Sequence, residues 1–451
     1  MFANKKVTVV GSGISGIAAA KLLLHKNASV TLYDGNEALD KEKVTERIGT
    51  KLPVVCGEFT KELAEQTELL VLSPGVPTDL PFILALKEQG VPVWGEIELA
   101  YKIAEGKFIG ITGTNGKTTT TALTGEIMKR WFKEVFVVGN IGIPYTEMAE
   151  QIGANAVTVA ELSSFQLETV QEDFIPDVSM ILNLTPDHLN RHYTMENYAR
   201  AKLNVAKNQT AGQTCILNYE DSMLREYAKE LDCRILWFSS RQKLKEGLYL
   251  DGNTILYANN GNLIEICKTE ELNIIGLHNY ENAMAAIGAA LCMEVPLDVL
   301  REGLMNFHAV EHRIEFVATK RGVDYYNDSK GTNPDAAIKG IQAMSKPTLL
   351  IGGGYDKGSE YEEWISAFDG KVKYLVLIGQ TKEKIAETAK KLGVTSVVLK
   401  ESFEEAMEFC VSHAEAGDAV LLSPACASWG MFKNYEERGH MFKEYVKGIA
   451  E

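Results

Sequence analysis

An apolar strand that runs through a glycine-rich turn into a helix leaves a chain few choices of fold. Residues 108–121, FIGITGTNGKTTTT, have that form. The strand ends in Gly113, Thr114, Asn115, Gly116, Lys117, Thr118 and Thr119. Glycines let backbone N–H groups converge on phosphate oxygens. A lysine at 117 reaches β- and γ-phosphates, and the Thr118 hydroxyl is placed to ligate Mg²⁺. The threonine run 118–121 is a poor helix former alone, so the loop and a bound phosphate organise the helix start. The strict pattern GxxxxGK[ST] would need glycine at 111, where the chain has Ile111; the spacing here is GxxGKT.

A phosphate loop of this kind belongs to a parallel α/β sheet, and the rest of the chain reads the same way. At 451 residues, it has room for about three domains. Short apolar runs at 7–10, 30–33, 54–55, 69–72 and 91–94 alternate with helical patterns in a first region, 1–95. A linker helix follows at 95–108. The second region, 96–309, holds strands buried on both faces at 108–113 and 157–162, and another at 178–184. It also holds YLDGNTILYANNGNLIEI (249–266), where Asp-Gly and Asn-Gly separate alternating segments. That stretch predicts an antiparallel meander forming a small side sheet. The third region, 310–451, has strand-then-glycine or strand-then-turn units at 348–354, 374–379 and 419–424, which present ligand loops at the carboxyl ends of a parallel sheet. The fold class is therefore α/β in three domains: a Rossmann-like first, a phosphate-loop second and a Rossmann-like third.

Net charge is −15, which argues against nucleic acid or an anionic membrane as partner. Seven cysteines are scattered without a CxxC pair, the pattern of reduced thiols in a cytoplasmic protein. The strand pattern starts almost at residue 1, so no secretory leader is expected. The longest apolar run, 283–293, is too short to span a bilayer and reads as a buried helix.

Several residues outside the phosphate loop carry candidate chemistry. Glu161 ends the strand VTVAE and suits a hard cation beside the Thr118 hydroxyl; the plainer reading is a solvated strand-end acid. Ser163 and Gln166 form a capping box, S-x-x-Q, with substrate contact a second possibility for Ser163. His188 lies in a loop after a buried strand and is a candidate metal ligand. Lys202 sits in the helical pattern ENYARAKLNVAK, where an ordinary surface lysine is expected on pattern alone. Gly11, Gly13 and Gly16 form GxGxxG before a helix, with Ile14 and Ser15 inside it. Asp34 and Gly35 end the next strand, where ribose hydroxyls are read. Alone, that fingerprint says NAD or FAD.

The segments GTNGKTT, AELSSFQLE, LTPDHLNRH, YARAKLNV, GLHNYENA, EHRIEF, NDSKGTNPD and SPACASWGMFKNYEERG occur in order from 112 to 439. Together they resemble the Mur ligase family of peptidoglycan-building amide ligases. The resemblance implies ATP-driven amide formation through an acyl phosphate, with UDP-N-acetylmuramoyl-L-alanine and D-glutamate as small-molecule substrates. It implies that Lys117 and Thr118 hold ATP phosphates and Mg²⁺, that Glu161 ligates that first ion, and that His188 binds a second. Lys202 matches the family's carbamylated lysine, an anionic ligand for the second ion. Asn279, Asn282, Arg313 and Asp328 match ATP-contacting positions, with Lys330 in the same loop. Lys357 and Thr332 match the site of the incoming α-carboxylate, and Ser428 and Tyr435 that of the side-chain carboxylate.

The same resemblance moves the GxGxxG site from NAD to UDP. The loops LSPGVP (72–77) and GNIGIP (139–144), with Ser73, Gly75, Asn140 and Gly142, then take the sugar nucleotide. A cytoplasmic monomer is expected, and three domains joined by single linkers with ATP between the second and third predict that the third swings onto ATP about a hinge near 308–312. Other readings are a different amino-acid or folate ligase of the same superfamily, an NAD(P) oxidoreductase argued from residues 9–35, and a non-catalytic ATP-gated module.

Overall fold

The structure is a computed structural model that describes residues 1–140, 142–308 and 311–450. The expected hinge therefore falls partly on Ala309 and Val310, and the loop 139–144 partly on Ile141, which lie outside the described residues. The chain divides into two compact units. One comprises residues 1–267 and 281–304, the other 268–280 and 305–451.

The first unit contains two sheets. The amino-terminal one has five parallel strands in the order Val54–Cys56, Ser29–Asp34, Lys6–Val10, Leu69–Leu72, Val93–Gly95. Its strand order reverses between Lys6–Val10 and Leu69–Leu72, so the loops beginning at Gly11 and Ser73 face each other across the switch-point crevice where such sheets bind ligands. Helix Ile14–His25 packs Ile17, Ala20 and Leu23 into a core shared with Leu32 and Val71.

The central sheet has nine strands. In order they are Asn262–Lys268, Thr254–Asn259, Gly247–Asp251, Arg234–Ser239, Thr214–Asn218, Val178–Ile181, Lys107–Thr112, Val157–Glu161 and Val135–Gly139. The expected meander is present, with Gly247–Asp251 antiparallel to Thr254–Asn259. It does not stand apart as a side sheet. Parallel pairing of Phe238 and Ser239 with Leu248 and Tyr249 joins it to the edge of the central sheet. An exposed edge strand offers unpaired N–H and C=O groups, and the meander caps it. The apolar run 283–293 lies mostly in helix Leu277–Cys292, where Ala283 to Ile287 are fully buried.

The second unit holds a six-stranded sheet ordered Glu315–Lys320, Val323–Asn327, Ala419–Leu422, Thr348–Gly352, Val372–Leu377, Val397–Leu399. All neighbours pair in parallel except the first two strands, which are antiparallel. Trp364, Leu350 and Leu421 pack on one face, and Ile351, Val420 and Phe442 on the other. The strands therefore read as unbroken apolar runs, as expected for a sheet covered on both sides. All seven cysteines are free thiols. Among the described residues no helix is long and apolar enough to cross a membrane.

Candidate active site

Four neighbouring parallel strands of the central sheet, Val178–Ile181, Lys107–Thr112, Val157–Glu161 and Val135–Gly139, end on the same side. Their carboxyl ends bring Asn183, the loop 113–116, Glu161 and Asn140 together. The loop is stitched to the segment after Ile181. Thr114 N donates to Asn183 O at 2.9 Å, and Asn115 N donates to Asn183 Oδ1 at 2.8 Å. Asn183 Nδ2 returns a bond to Asn115 O at 3.0 Å, and Thr185 N donates to Thr114 Oγ1 at 3.0 Å. These bonds fix the loop without a ligand, so a phosphate meets backbone donors already arranged.

Gly116 precedes helix Lys117–Trp131 with φ 89°, and a Cβ there would lie 2.2 Å from Asn282 Oδ1. Handedness and space both demand glycine. Thr118 and Thr119 are buried at the helix start.

Two lysines converge on one carbonyl. Lys117 Nζ donates to Gly113 O and Thr114 O, both at 2.9 Å. Lys202 Nζ donates to the same Gly113 O at 2.8 Å. Lys202 is 2% exposed and lies 4.6 Å from the centre of the Tyr198 ring. Burial, then the nearby Lys117 charge, pushes its ammonium well below the ordinary lysine value, against the opposing pull of Asp187 and Glu161. Lys202 is thus not the surface lysine its helical pattern suggests: it lies on the buried face of helix Met195–Leu203 with Tyr198, Ala199 and Ala201.

Glu161 is also buried. Asn140 Nδ2 donates to its Oε1 at 3.0 Å, and Oε2 accepts no hydrogen bond among the described residues. His188 has φ 53°, is half-exposed, and has Nε2 at 3.4 Å from Asp187 Oδ2. Its ring lies 4.9 Å from that of Phe165. Ser163 forms the expected capping box with Gln166.

At the amino-terminal switch point, Ser73 Oγ donates to Gly11 O at 3.3 Å. A Cβ on Gly16 would fall 1.9 Å from that same carbonyl oxygen, so helix and loop touch only because residue 16 has no side chain. Gly13 precedes the helix without a side-chain cap, leaving helix N–H groups for an anion. Ile14 is exposed, Ser15 partly buried, and Gly75 and Gly142 exposed. Asp34, read from the sequence as a ribose acceptor, holds the loop itself: Ser12 N and Oγ donate to its Oδ2 at 2.9 and 2.6 Å. Asn36 N donates to its Oδ1 at 3.0 Å, one residue beyond Gly35. Burial raises the Asp34 carboxyl, but these bonds outweigh it and hold the group below its usual value.

Asn282 lies in the first unit beside Gly116. The remaining predicted residues lie in the second unit. Asn279 Nδ2 donates to Ile275 O at 2.8 Å. Asp328 follows strand Val323–Asn327 and accepts from Ser423 Oγ at 2.6 Å. Burial pushes its carboxyl up to about 7, against the Ser423 bond and the Arg313 charge. Arg313 Nε is buried without a hydrogen-bond partner among the described residues, an orphaned donor of the kind a bound anion satisfies. Lys330 Nζ lies 5.4 Å from the Tyr435 ring centre, and Thr332 N donates to Lys330 O. Lys357 Nζ lies 4.9 Å over the Trp429 ring, beside buried Ser428.

Sequence reasoning missed Arg438. Its guanidinium is 1% exposed, and Nη2 donates to Ser329 O at 2.8 Å while Nε donates to Ser329 Oγ at 3.0 Å. It also reaches Cys426 O at 3.3 Å. It ties the loop that follows strand Val323–Asn327 to the one that follows Ala419–Leu422. Its only signal was its place in the quoted stretch ending NYEERG. Tyr198, whose hydroxyl lies 3.1 Å from Thr114 Oγ1, was likewise passed over.

A phosphate loop on a parallel sheet, a switch-point crevice before it and an α/β sheet with clustered cations after it define a nucleotide-using α/β protein of three domains. Family models agree with that division. Residues 5–95 match the Mur ligase MurD-like N-terminal domain, 111–290 the Mur ligase middle domain, and 312–426 the Mur ligase glutamate ligase domain. The chain belongs to the Mur ligase family. It is 57% identical to the UDP-N-acetylmuramoylalanine–D-glutamate ligase of Lachnoclostridium phytofermentans, over 100% of this chain and 99% of that one. It is 55% identical to the ligase of the same name from Lachnospira eligens, over 99% of each. Among solved structures it resembles UDP-N-acetylmuramate–alanine ligase from Thermotoga maritima, with TM-score 0.61 and 19% identity, covering 99% of this chain and 100% of that one. At that identity the likeness speaks for the fold.

Proposed function

We propose that this chain is the cytoplasmic ATP-dependent ligase that joins D-glutamate to UDP-N-acetylmuramoyl-L-alanine in building the peptidoglycan precursor. The observation that carries the reading is the convergence of Lys117 and Lys202 on Gly113 O, with buried Glu161 at the end of the next strand but inside the same cluster. The names of the full-length relatives support the choice of substrates.

In this reading ATP lies along the loop 113–119, with Lys117 turned from the loop carbonyls onto the β- and γ-phosphates. The sugar nucleotide lies over the amino-terminal crevice, its diphosphate at Gly13, Ile14 and Ser15, with Ser73, Gly75, Asn140, Gly142 and Ser163 along its length. Its alanyl carboxylate attacks the γ-phosphorus, and ADP leaves. The acyl phosphate converts an oxide leaving group into phosphate. The D-glutamate amine then attacks the acyl carbon, and the tetrahedral adduct expels phosphate. Lys117 neutralises charge on the transferred group, and the prearranged loop amides position it. Lys357 and Thr332 hold the α-carboxylate of D-glutamate, and Ser428 and Tyr435 its side chain. Asn279, Asn282, Arg313, Asp328 and Lys330 hold the nucleotide.

The residues fit Mg²⁺. Thr118, and Glu161 with its unbonded Oε2, supply hard oxygens for one ion. In this reading His188 and Lys202 would hold a second, the depressed Lys202 amine favouring the neutral form that adds CO₂ and loses a proton to become a carbamate. The ions would screen phosphate charge.

The test is mass spectrometry of products from ATP, UDP-N-acetylmuramoyl-L-alanine and a panel of amino acids. A D-glutamyl product with matching ADP is expected. Absence of ADP, or a product only with another amino acid, overturns the reading.

A further inference from the structure

The segment that carries His188 is strained and is held from outside. His188 has φ 53° and Tyr193 φ 66°, and they flank the four-residue helix Leu189–His192. Non-glycine residues with positive φ persist only where surroundings over-determine them. Part of the restraint is internal to the domain, where His192 Nε2 lies 2.9 Å from Ser164 Oγ and Asn197 Nδ2 donates to His192 O at 2.9 Å; the rest comes from the loop that follows strand Leu69–Leu72 of the amino-terminal sheet. Arg191 Nη2 donates to Val76 O at 2.9 Å and to Glu168 Oε2 at 2.7 Å. Thr78 Oγ1 donates to the same Glu168 oxygen at 3.2 Å. Tyr193 OH donates to Asp79 Oδ2 at 2.9 Å. Arg191 and Glu168 side chains are each 14% exposed, and the guanidinium lies 5.1 Å from the centre of the Phe165 ring. Among the described residues, the His188 imidazole meets its neighbour Asp187 and the Phe165 ring.

We infer that Arg191 and Glu168 are positioning residues: a latch through which the loop 73–79 sets the place of the His188 imidazole. The Glu168 carboxylate is shared between Arg191 of its own domain and the Thr78 hydroxyl of the amino-terminal loop, and breaking such a mostly buried charge pair is costly. Filling the loop with a sugar nucleotide therefore steadies segment 188–193, and a cation on His188 steadies the loop. Such coupling is reciprocal. This rests on the reading above, in which the loop with Ser73 and Gly75 takes the sugar nucleotide and His188 a cation.

The experiment compares wild type with Arg191→Ala and Arg191→Lys, using two readouts. Amide hydrogen exchange across 187–194, without ligands, is expected to quicken in Arg191→Ala and less in Arg191→Lys, with protection of strand 107–112 unchanged as the check on folding. Unchanged exchange at 187–194 overturns the latch, whatever the activity. The second readout is Mn²⁺ affinity with a non-hydrolysable ATP analogue, with and without UDP-N-acetylmuramoyl-L-alanine. In wild type the sugar nucleotide is expected to tighten Mn²⁺ by about 5-fold or more, and in Arg191→Ala by roughly none. Equal coupling in both proteins overturns the role in cation placement. Quickened exchange beside a wild type that ignores the sugar nucleotide keeps the latch and overturns the reading of loop 73–79.

Discussion

Lys117 and Lys202 donate to a single acceptor, the carbonyl oxygen of Gly113, at 2.9 and 2.8 Å. Two ammonium groups at one oxygen repel each other, and only Lys202 is sealed from solvent. Burial and its neighbour's charge together depress the Lys202 amine. With ¹³C-bicarbonate, a carbamate resonance is expected in the wild type and none in Lys202→Ala. That variant should be inactive and regain part of its turnover with formate. Full activity without formate removes the carbamate from the mechanism.

Lys117 is half-buried where Lys202 is buried, so of the two its side chain is the nearer to solvent and, in the proposed reading, to phosphate. Lys117→Ala is expected to lower ATP-dependent phosphate release by about 10²-fold or more, since it deletes a charge facing the transferred group. Release within a few-fold of wild type would strike Lys117 from the site.

Asp328 keeps its proton in the folded chain up to about 7, against an ordinary 3.8, because burial outweighs the bond from Ser423. The folded state therefore binds the extra proton. The stability this group contributes is whole below 3.8 and is lost as pH rises through about 7. Asp328→Asn cannot ionise. Its melting temperature relative to wild type should climb between about pH 4 and pH 7 and level off above. A difference that stays flat across that range contradicts the neutral carboxyl.

Gly116 combines φ 89° with Asn282 Oδ1 at 2.2 Å from where a Cβ would stand. Gly116→Ala is expected to weaken ATP binding at least about tenfold, because the strain falls on the loop proposed to hold the phosphates. Titration calorimetry with ATP reads this directly, and wild-type affinity would show that the loop tolerates a side chain.

The phosphate loop and the three-sheet plan were legible because they rest on local patterns: an apolar strand, a glycine turn, a helix. What escaped was decided at long range. Lys202 looked solvent-facing in a helix rich in charge, yet its face is buried against the carboxyl end of another strand. Asp34 stands at the right distance from GxGxxG to read a ribose, and only the folded chain shows that this strand-end carboxylate also holds Ser12. The hairpin signals at 249–266 were sound, while their attachment to the central sheet depended on two residues of edge pairing at 238–239. Arg438 and Arg191 carry no periodicity or spacing that distinguishes them from surface arginines; only the folded chain brings their acceptors within reach.

The buried guanidinium of Arg438 has a consequence for how such a protein diversifies. By clamping Ser329 and Cys426 it sets the span between two loops as a fixed gauge. The aromatic and cationic side chains nearby, Trp429, Tyr355 and Lys357, stand at the more open surface and can be exchanged while that gauge stays put. With the incoming amino acid taken here, as proposed, a new preference would be reached by repainting the doorway rather than moving its frame.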